Sequence, residues 1–329
     1  GDKPWPVHPT HTVLPRDLRK ATNSLRPCQL SRKMRWLVDH ASFEPFEGAG
    51  GCRIHAAVLR NRFQSGGAVL FLPGWGEPYL LSAELIEALH RRGLSVLMMD
   101  HRAQGLSESP TVQGQPVTHL ETFRHYEADV LTFLDRTRAL HGGRVMVVGH
   151  SLGGLVAASI EARRPGTFRR MVLSSPLLKA MLPLPQWLCE LITNLLVPKL
   201  RRCRASRTDV DDYLGFEISS DTDNLMVWKQ LRDELPCLKC TGVTLGWLRE
   251  VLRTTRAVKR EAHRVVCPVL LLQAGRDSYV ENGEHFKFLE RLGGWTGEVH
   301  RYGDALHNLL IEEPVVRSDV IQRTIRWLT

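Results

Sequence analysis

Three short stretches of this chain carry side chains whose chemistries complement one another. VVGHSLGG places Ser151 between Gly149 and Gly153, QAGRDSYV carries Asp277, and GDALHNLL carries His307. A serine hydroxyl is a weak nucleophile at neutral pH and needs a base within hydrogen-bond reach. That base in turn needs an acid to hold its tautomer and stabilise the imidazolium. Ser151 as nucleophile, His307 as base and Asp277 as acid form such a set, suited to acyl transfer. Each feature has a plain alternative, since glycine and serine are common in turns and an aspartate after a strand is often a helix cap. The combination, at three strand ends and in the order Ser, Asp, His, is the signal. Asp304 is the rival acid, but its place in the same short loop as His307 suits it to shaping the turn. His150, beside the serine, is expected by strand alternation to point away from it.

The elements around these residues explain how they meet. AVLFLPG, SVLMMD, RVMVVG, RRMVLSSP and CPVLLLQAG are short apolar runs that suit buried strands, and CRIHAAVL and GEVHRYG read as further strands. LSAELIEALHRRG, the region from Leu120 to Leu140, SLGGLVAASIEARRPG and GEHFKFLERLG read as helices between them. This alternation predicts a mostly parallel central sheet with helices on both faces, where ligands bind beyond the carboxyl ends of the strands. It is interrupted between about Leu177 and Val265, where helices and loops predominate. The expected organisation is an N-terminal arm and helix over 1–36, a core of 37–176 and 263–329, and a helical cap over 177–262, inserted after the sixth parallel-type strand.

The glycines beside Ser151 fit a strained strand-to-helix turn, where a side chain two positions away would strike the neighbouring strand or helix. The helix that follows points N–H groups at the site. The N–H of Leu152 is expected as one oxyanion donor. The second is expected from Trp75 in Gly74-Trp75-Gly76, just after AVLFLPG.

Composition narrows the remaining classes. The 329 residues are 43% hydrophobic and 24% charged, enough to build a sizeable core. A net charge of +9 favours anionic surfaces. Nucleic acid is not expected as a partner, because no helix-turn-helix, zinc-finger or RNP-type pattern is present. Seven scattered cysteines do not form a disulfide framework, which points to a reducing, cytoplasmic location. Cys237 and Cys240 form a lone CxxC without a second pair at zinc spacing, so no metal is expected. No apolar run is long enough to span a bilayer.

PGWGEPYLLSAELIEALHRRGLSVLMMDHRAQGLSES, VVGHSLGG, QAGRDSYV and ALHNLL together resemble the bacterial lysophospholipase and monoacylglycerol lipase group of α/β-hydrolases. The resemblance runs from about residue 40 onward and includes TGVTLGWLREVL in the insertion. It implies the α/β-hydrolase fold, Ser151 as nucleophile, Asp277 as acid, His307 as base, and no metal or organic cofactor. Two positions depart from the family pattern. Pro73 replaces a histidine before the oxyanion turn, and Ala103 replaces a glycine in DHRAQGLS.

On this reading the insertion covers the active site. Leu177, Leu178, Met181 and Trp187 are expected to contact an acyl chain. The basic run of Lys199, Arg201, Arg202, Arg204 and Arg207 could hold a phosphate headgroup or rest on anionic lipid at the inner face of a membrane. The expected activity is hydrolysis of a lysophospholipid or monoacylglycerol through an acyl-enzyme. The alternatives are a small-ester esterase, thioesterase or C–C bond hydrolase on the same scaffold, or a non-catalytic lipid-binding protein. Aspartate-dependent haloalkane and epoxide chemistry is disfavoured by Ser151. The sequence leaves the headgroup and the oligomeric state open.

Overall fold

A computed structural model describes residues 13–62, 67–205, 217–294 and 297–329. Among the described residues the main sheet has eight strands: β1 (Ser42–Phe43), β2 (Ala56–Leu59), β3 (Ala68–Leu72), β4 (Ser95–Met99), β5 (Val145–His150), β6 (Phe168–Ser174), β7 (Val269–Ala274) and β8 (Gly297–Tyr302). Their spatial order is β1-β2-β4-β3-β5-β6-β7-β8. β2 runs antiparallel to both of its neighbours, and every pairing from β4 to β8 is parallel. The apolar runs read as buried strands are buried along their whole lengths in β3, β4, β5 and β7. β8 lies at the edge, and this explains its polar sequence: only Tyr302 of its residues is buried.

Helices cover both faces, giving two apolar clusters separated by the sheet. Helix Leu152–Arg163 is buried on every side as far as Ala162. Its run of small residues lets it sit between the sheet and helix Leu245–Arg260. The N-terminal segment contains two helices, Pro15–Ser24 and Gln29–His40, where the sequence suggested one. Both pack into the core through Leu18, Leu30, Met34 and Leu37.

Between β6, the sixth strand in chain order, and β7 lie helices Gln186–Leu200, Thr222–Glu234 and Leu245–Arg260. They do not act as one unit. The first and third pack on each other, whereas Thr222–Glu234 reaches sideways to the N-terminal helices. There Trp228 is buried, and Arg26 pairs with Asp223 at 3.0 Å.

Candidate active site

β5 delivers Ser151 to the carboxyl end of the sheet, and a helix begins at the next residue. Ser151 has φ 49° and ψ −113°, a strained conformation for a residue with a side chain. Three backbone bonds hold it: its N–H donates to Ser174 O at 2.9 Å, and its carbonyl accepts from Leu177 N at 3.0 Å and Leu155 N at 3.2 Å. The glycines follow from close packing. A Cβ at Gly149 would lie 2.6 Å from Gly153 O, and one at Gly153 would lie 2.2 Å from Leu72 O. A side chain at either position would push the elbow away from the helix or from β3.

His307 Nε2 lies 2.9 Å from Ser151 Oγ, and His307 Nδ1 lies 2.7 Å from Asp277 Oδ2. Asp277 Oδ1 accepts from the backbone N–H groups of Tyr279 at 2.8 Å and Val280 at 3.0 Å. Burial pushes the Asp277 carboxyl up, but the charge and hydrogen bond of His307, aided by those N–H groups, outweigh it and hold the group below its ordinary value. Asp304 is exposed, and the loop carrying His307 is instead fixed by Glu312, which accepts from Leu306 N at 2.7 Å. This arrangement can activate the serine and stabilise a transient imidazolium.

Of the two expected oxyanion donors, one adjoins the serine in the chain and the other lines the serine's cavity. Leu152 is the first residue of the helix, where N–H groups have no intrahelical acceptor. Trp75 lies on the turn after β3 and lines the same cavity as Ser151. Its indole Nε1 donates to Thr118 Oγ1 at 2.9 Å. Gln104 of DHRAQGLS pins this turn by donating to Gly74 O at 2.7 Å and Glu77 O at 3.2 Å. Ala103, where the resembled pattern has glycine, keeps a positive φ of 62°.

The cavity has a volume of about 380 Å³ and reaches Ser151 and His307. Leu177 and Met181 line it as expected. Leu178 does not: it is fully buried in the core beneath. Trp187 does not either, and is 63% exposed on the outer surface. The walls come largely from residues that the sequence reading passed over: Ile218, Val243, Trp247, Leu248, Val251, Leu252, Tyr279 and Val280. The buried face of helix Leu245–Arg260, with Trp247, Val251 and Leu252 at helical spacing, was a signal for several of them.

His150 corrects the alternation argument. It lines the cavity, its ring centroid is 5.0 Å from that of His307, and its Nε2 is 3.8 Å from Glu77 Oε1. The backbone reverses at Ser151, so strand alternation does not carry across the elbow. Burial, with the nearby His307, lowers the His150 pKa to about 3, which leaves its ring neutral. Glu77 was also overlooked as a site residue. It is buried and accepts from Asn308 Nδ2 at 2.9 Å. Burial raises it to about 7 against the opposing pull of His307 and Asn308.

The basic run is partly committed to internal contacts. Arg201 donates to Glu121 O at 2.6 Å and also pairs with the Glu121 carboxylate. Arg204 donates to Val112 O at 3.1 Å, and Arg202 lies 4.0 Å from Glu121. Lys199 is exposed, and Arg207 lies outside the described residues. The cysteines at 237 and 240 are buried, and no group of metal-binding side chains occurs among the described residues.

Residues 64–314 match a hydrolase family described as serine aminopeptidase, S33. The chain belongs to that family. Lysophospholipase L2 of Escherichia coli K12 is 28% identical over 261 residues, covering 76% of each chain. Human monoglyceride lipase is 27% identical over 274 residues, covering 80% of this chain and 82% of its own. The monoacylglycerol lipase of Paleococcus ferrophilus superposes with a TM-score of 0.67 at 20% identity, over 88% of this chain and 98% of the other. A soluble variant of Saccharomyces cerevisiae monoglyceride lipase gives 0.69 at 19% identity, over 88% and 93%. These two structures share the fold of this S33 hydrolase, an α/β-hydrolase sheet with helices on both faces.

Proposed function

We propose that this protein is a serine carboxylic-ester hydrolase that releases a fatty acid from a lipid with one acyl chain, a lysophospholipid or a monoacylglycerol. One observation carries the reading: the hydrogen-bonded series Ser151–His307–Asp277 opens into a cavity walled mainly by apolar side chains. Ser151 Oγ attacks the ester carbonyl as His307 takes its proton. The N–H groups of Leu152 and Trp75 receive the oxyanion. His307 protonates the departing alcohol, then activates the water that frees the acid, while Asp277 orients the ring throughout. Relatives named for lysophospholipid and monoglyceride hydrolysis support the substrate class.

The family description also names a peptidase, and the cavity argues against that chemistry here. A peptide's α-ammonium needs a fixed anion. Among the described residues lining the reactive cavity Glu77 is the one carboxylate, and the wall around the serine is mainly apolar, which suits an acyl chain. A panel of matched lipids, short esters and aminoacyl amides, assayed on wild type and Ser151→Ala, tests the reading. Ester cleavage should vanish in the variant, with the fold retained. Amide cleavage exceeding ester cleavage, or esterase activity surviving the substitution, would sink it.

Residues 177–262 serve in this reading as a cap that also meets the lipid surface. Leu184, Trp187, Leu191, Leu195 and Leu200 are exposed on or just before helix Gln186–Leu200, and Lys199 lies beside them. This apolar face with a basic flank suits peripheral contact with an anionic membrane. No helix among the described residues is long and apolar enough to cross one.

A further inference from the structure

A second depression, of about 540 Å³, lies beside the reactive cavity and shares Ala180, Leu182 and Pro183 with it. Its chemistry is opposite. Lys179, Arg256 and Lys259 line it together with Glu190, Glu281 and Glu284. The wall between the two spaces is a short backbone ladder: Ala180 bridges Val280, Met181 N donates to Tyr279 O at 2.8 Å, and Glu281 N donates to Lys179 O at 2.9 Å. Tyr279 and Val280 line the reactive cavity, while Lys179 and Glu281 line the cleft. The two spaces therefore meet across the loop that carries Asp277.

The cations and carboxylates are matched in pairs: Lys179 with Glu281 at 2.7 Å, Arg256 with Glu190 at 2.7 Å and Lys259 with Glu284 at 3.3 Å. Each cation keeps donors beyond these contacts, because an ammonium has three and a guanidinium five, while Glu190 and Glu284 each also hold a second partner, Gln186 and Lys287. A plain anion in the cleft would meet three carboxylates, and a plain cation three basic groups. A ligand carrying both signs on one short tether can satisfy both. Trp187 borders the same space and offers an aromatic face, a surface that attracts quaternary ammonium groups.

We propose that this cleft is the headgroup site for a zwitterionic lysophospholipid, taking the phosphate on Lys179, Arg256 and Lys259 and the ammonium on the carboxylates and Trp187, while the acyl chain enters the neighbouring apolar cavity. The inference rests on the lipid-ester reading above and narrows it to a substrate with a phosphocholine-type or phosphoethanolamine-type headgroup. Neutral monoacylglycerols enter the same cavity but leave the cleft unused.

The test is the double variant Arg256→Gln/Lys259→Gln. Glu190 keeps its bond from Gln186 at 3.0 Å, and Glu284 keeps Lys287 at 2.8 Å, so neither carboxylate is stranded. Wild type and variant are assayed on lysophosphatidylcholine and monoacylglycerol of the same acyl chain, in the same neutral detergent micelles, and on a short soluble ester. The expected result is a loss of about tenfold in kcat/KM for lysophosphatidylcholine, carried by KM, with the other two substrates unchanged. Phosphocholine should compete with lysophosphatidylcholine in the wild type, and inorganic phosphate at the same concentration should not. Equal loss on all three substrates, no loss on lysophosphatidylcholine, or equal competition by inorganic phosphate would each overturn the headgroup site while leaving the lipid-ester reading in place. A wild type that cleaves the short ester but neither lipid would overturn both.

Discussion

The floor and the roof of the reactive cavity are built by opposite rules. On the floor, Ser151 is held by backbone bonds at a strand end, Asp277 accepts from the backbone N–H groups of Tyr279 and Val280, and Asn308, beside His307, donates its N–H to Ile218 O. In the roof, helix Gln186–Leu200 buries Glu190, Thr193 and Val197 and turns Leu191, Leu195 and Leu200 outward. A helix that packs its polar residues and exposes its leucines fits the proposed contact with a lipid surface. Geometry on the floor is fixed by short-range bonds, whereas on the proposed reading the roof answers to what lies outside the protein.

That contrast can be broken most sharply at the acid. Asp277→Asn should reduce turnover by about 10⁴-fold, because the amide no longer holds the His307 tautomer or stabilises its charge. Asp304→Asn, at an exposed position, should leave turnover nearly unchanged. Short-ester kinetics on both variants decide the matter, and the reverse ranking would reassign the acid.

The roof should respond in a different assay. A leucine side chain contributes roughly 1.5–3 kcal/mol when fully buried in an apolar medium. Leu191→Gln with Leu195→Gln should therefore weaken binding to anionic vesicles by at least about tenfold. Short-ester turnover should hold, because neither residue lines the cavity. Co-sedimentation beside ester kinetics measures both; unchanged vesicle binding would leave the exposed leucines without a lipid role.

The smallest effect concerns pH. Burial raises Glu77 from its ordinary 4.5 to about 7. Between those values the folded chain holds a proton that the unfolded chain has lost. The contribution of Glu77 to stability therefore falls as pH rises from about 4.5 to about 7, then levels off. Glu77→Gln should flatten the decline in Tm between about pH 5 and 7 by on the order of 2 °C. A residual slope is expected from Asp100, which burial also raises to about 7. An unaltered slope would mean that Glu77 ionises near its ordinary value.

The floor was legible in the sequence because its constraints are local. Gly149 and Gly153 mark backbone contacts that exclude a Cβ, and apolar runs mark the strands that deliver Ser151 and Asp277. His150 was misread because a period-two pattern assumes an extended chain, and the positive φ of Ser151 ends it there. The roof was less legible because hydrophobicity does not reveal which medium it faces. Leu178 and Trp187 belong to one apolar series, yet one is fully buried in the core and the other is 63% exposed. Arg201 reads as part of a surface basic run, but its partner Glu121 is far away in sequence. Glu77 and Asn308 are separated by 231 positions, so only the folded chain shows them as a pair.

The sideways course of helix Thr222–Glu234 bears on how such enzymes can be recombined. A lid that folded on its own could be exchanged between relatives as a cassette, with one cut after β6 and another before β7. This one is rooted elsewhere: Trp228 is buried, Arg26 N donates to Gln230 Oε1 at 3.0 Å, and Asn308 N, beside His307, donates to Ile218 O at 2.7 Å. Transplanted alone, the proposed cap would arrive without the N-terminal helix pair that supports helix Thr222–Glu234, and with a seam beside His307. The smallest transferable unit is therefore the lid together with the two helices that open the described chain, pieces far apart in sequence that share a single foundation.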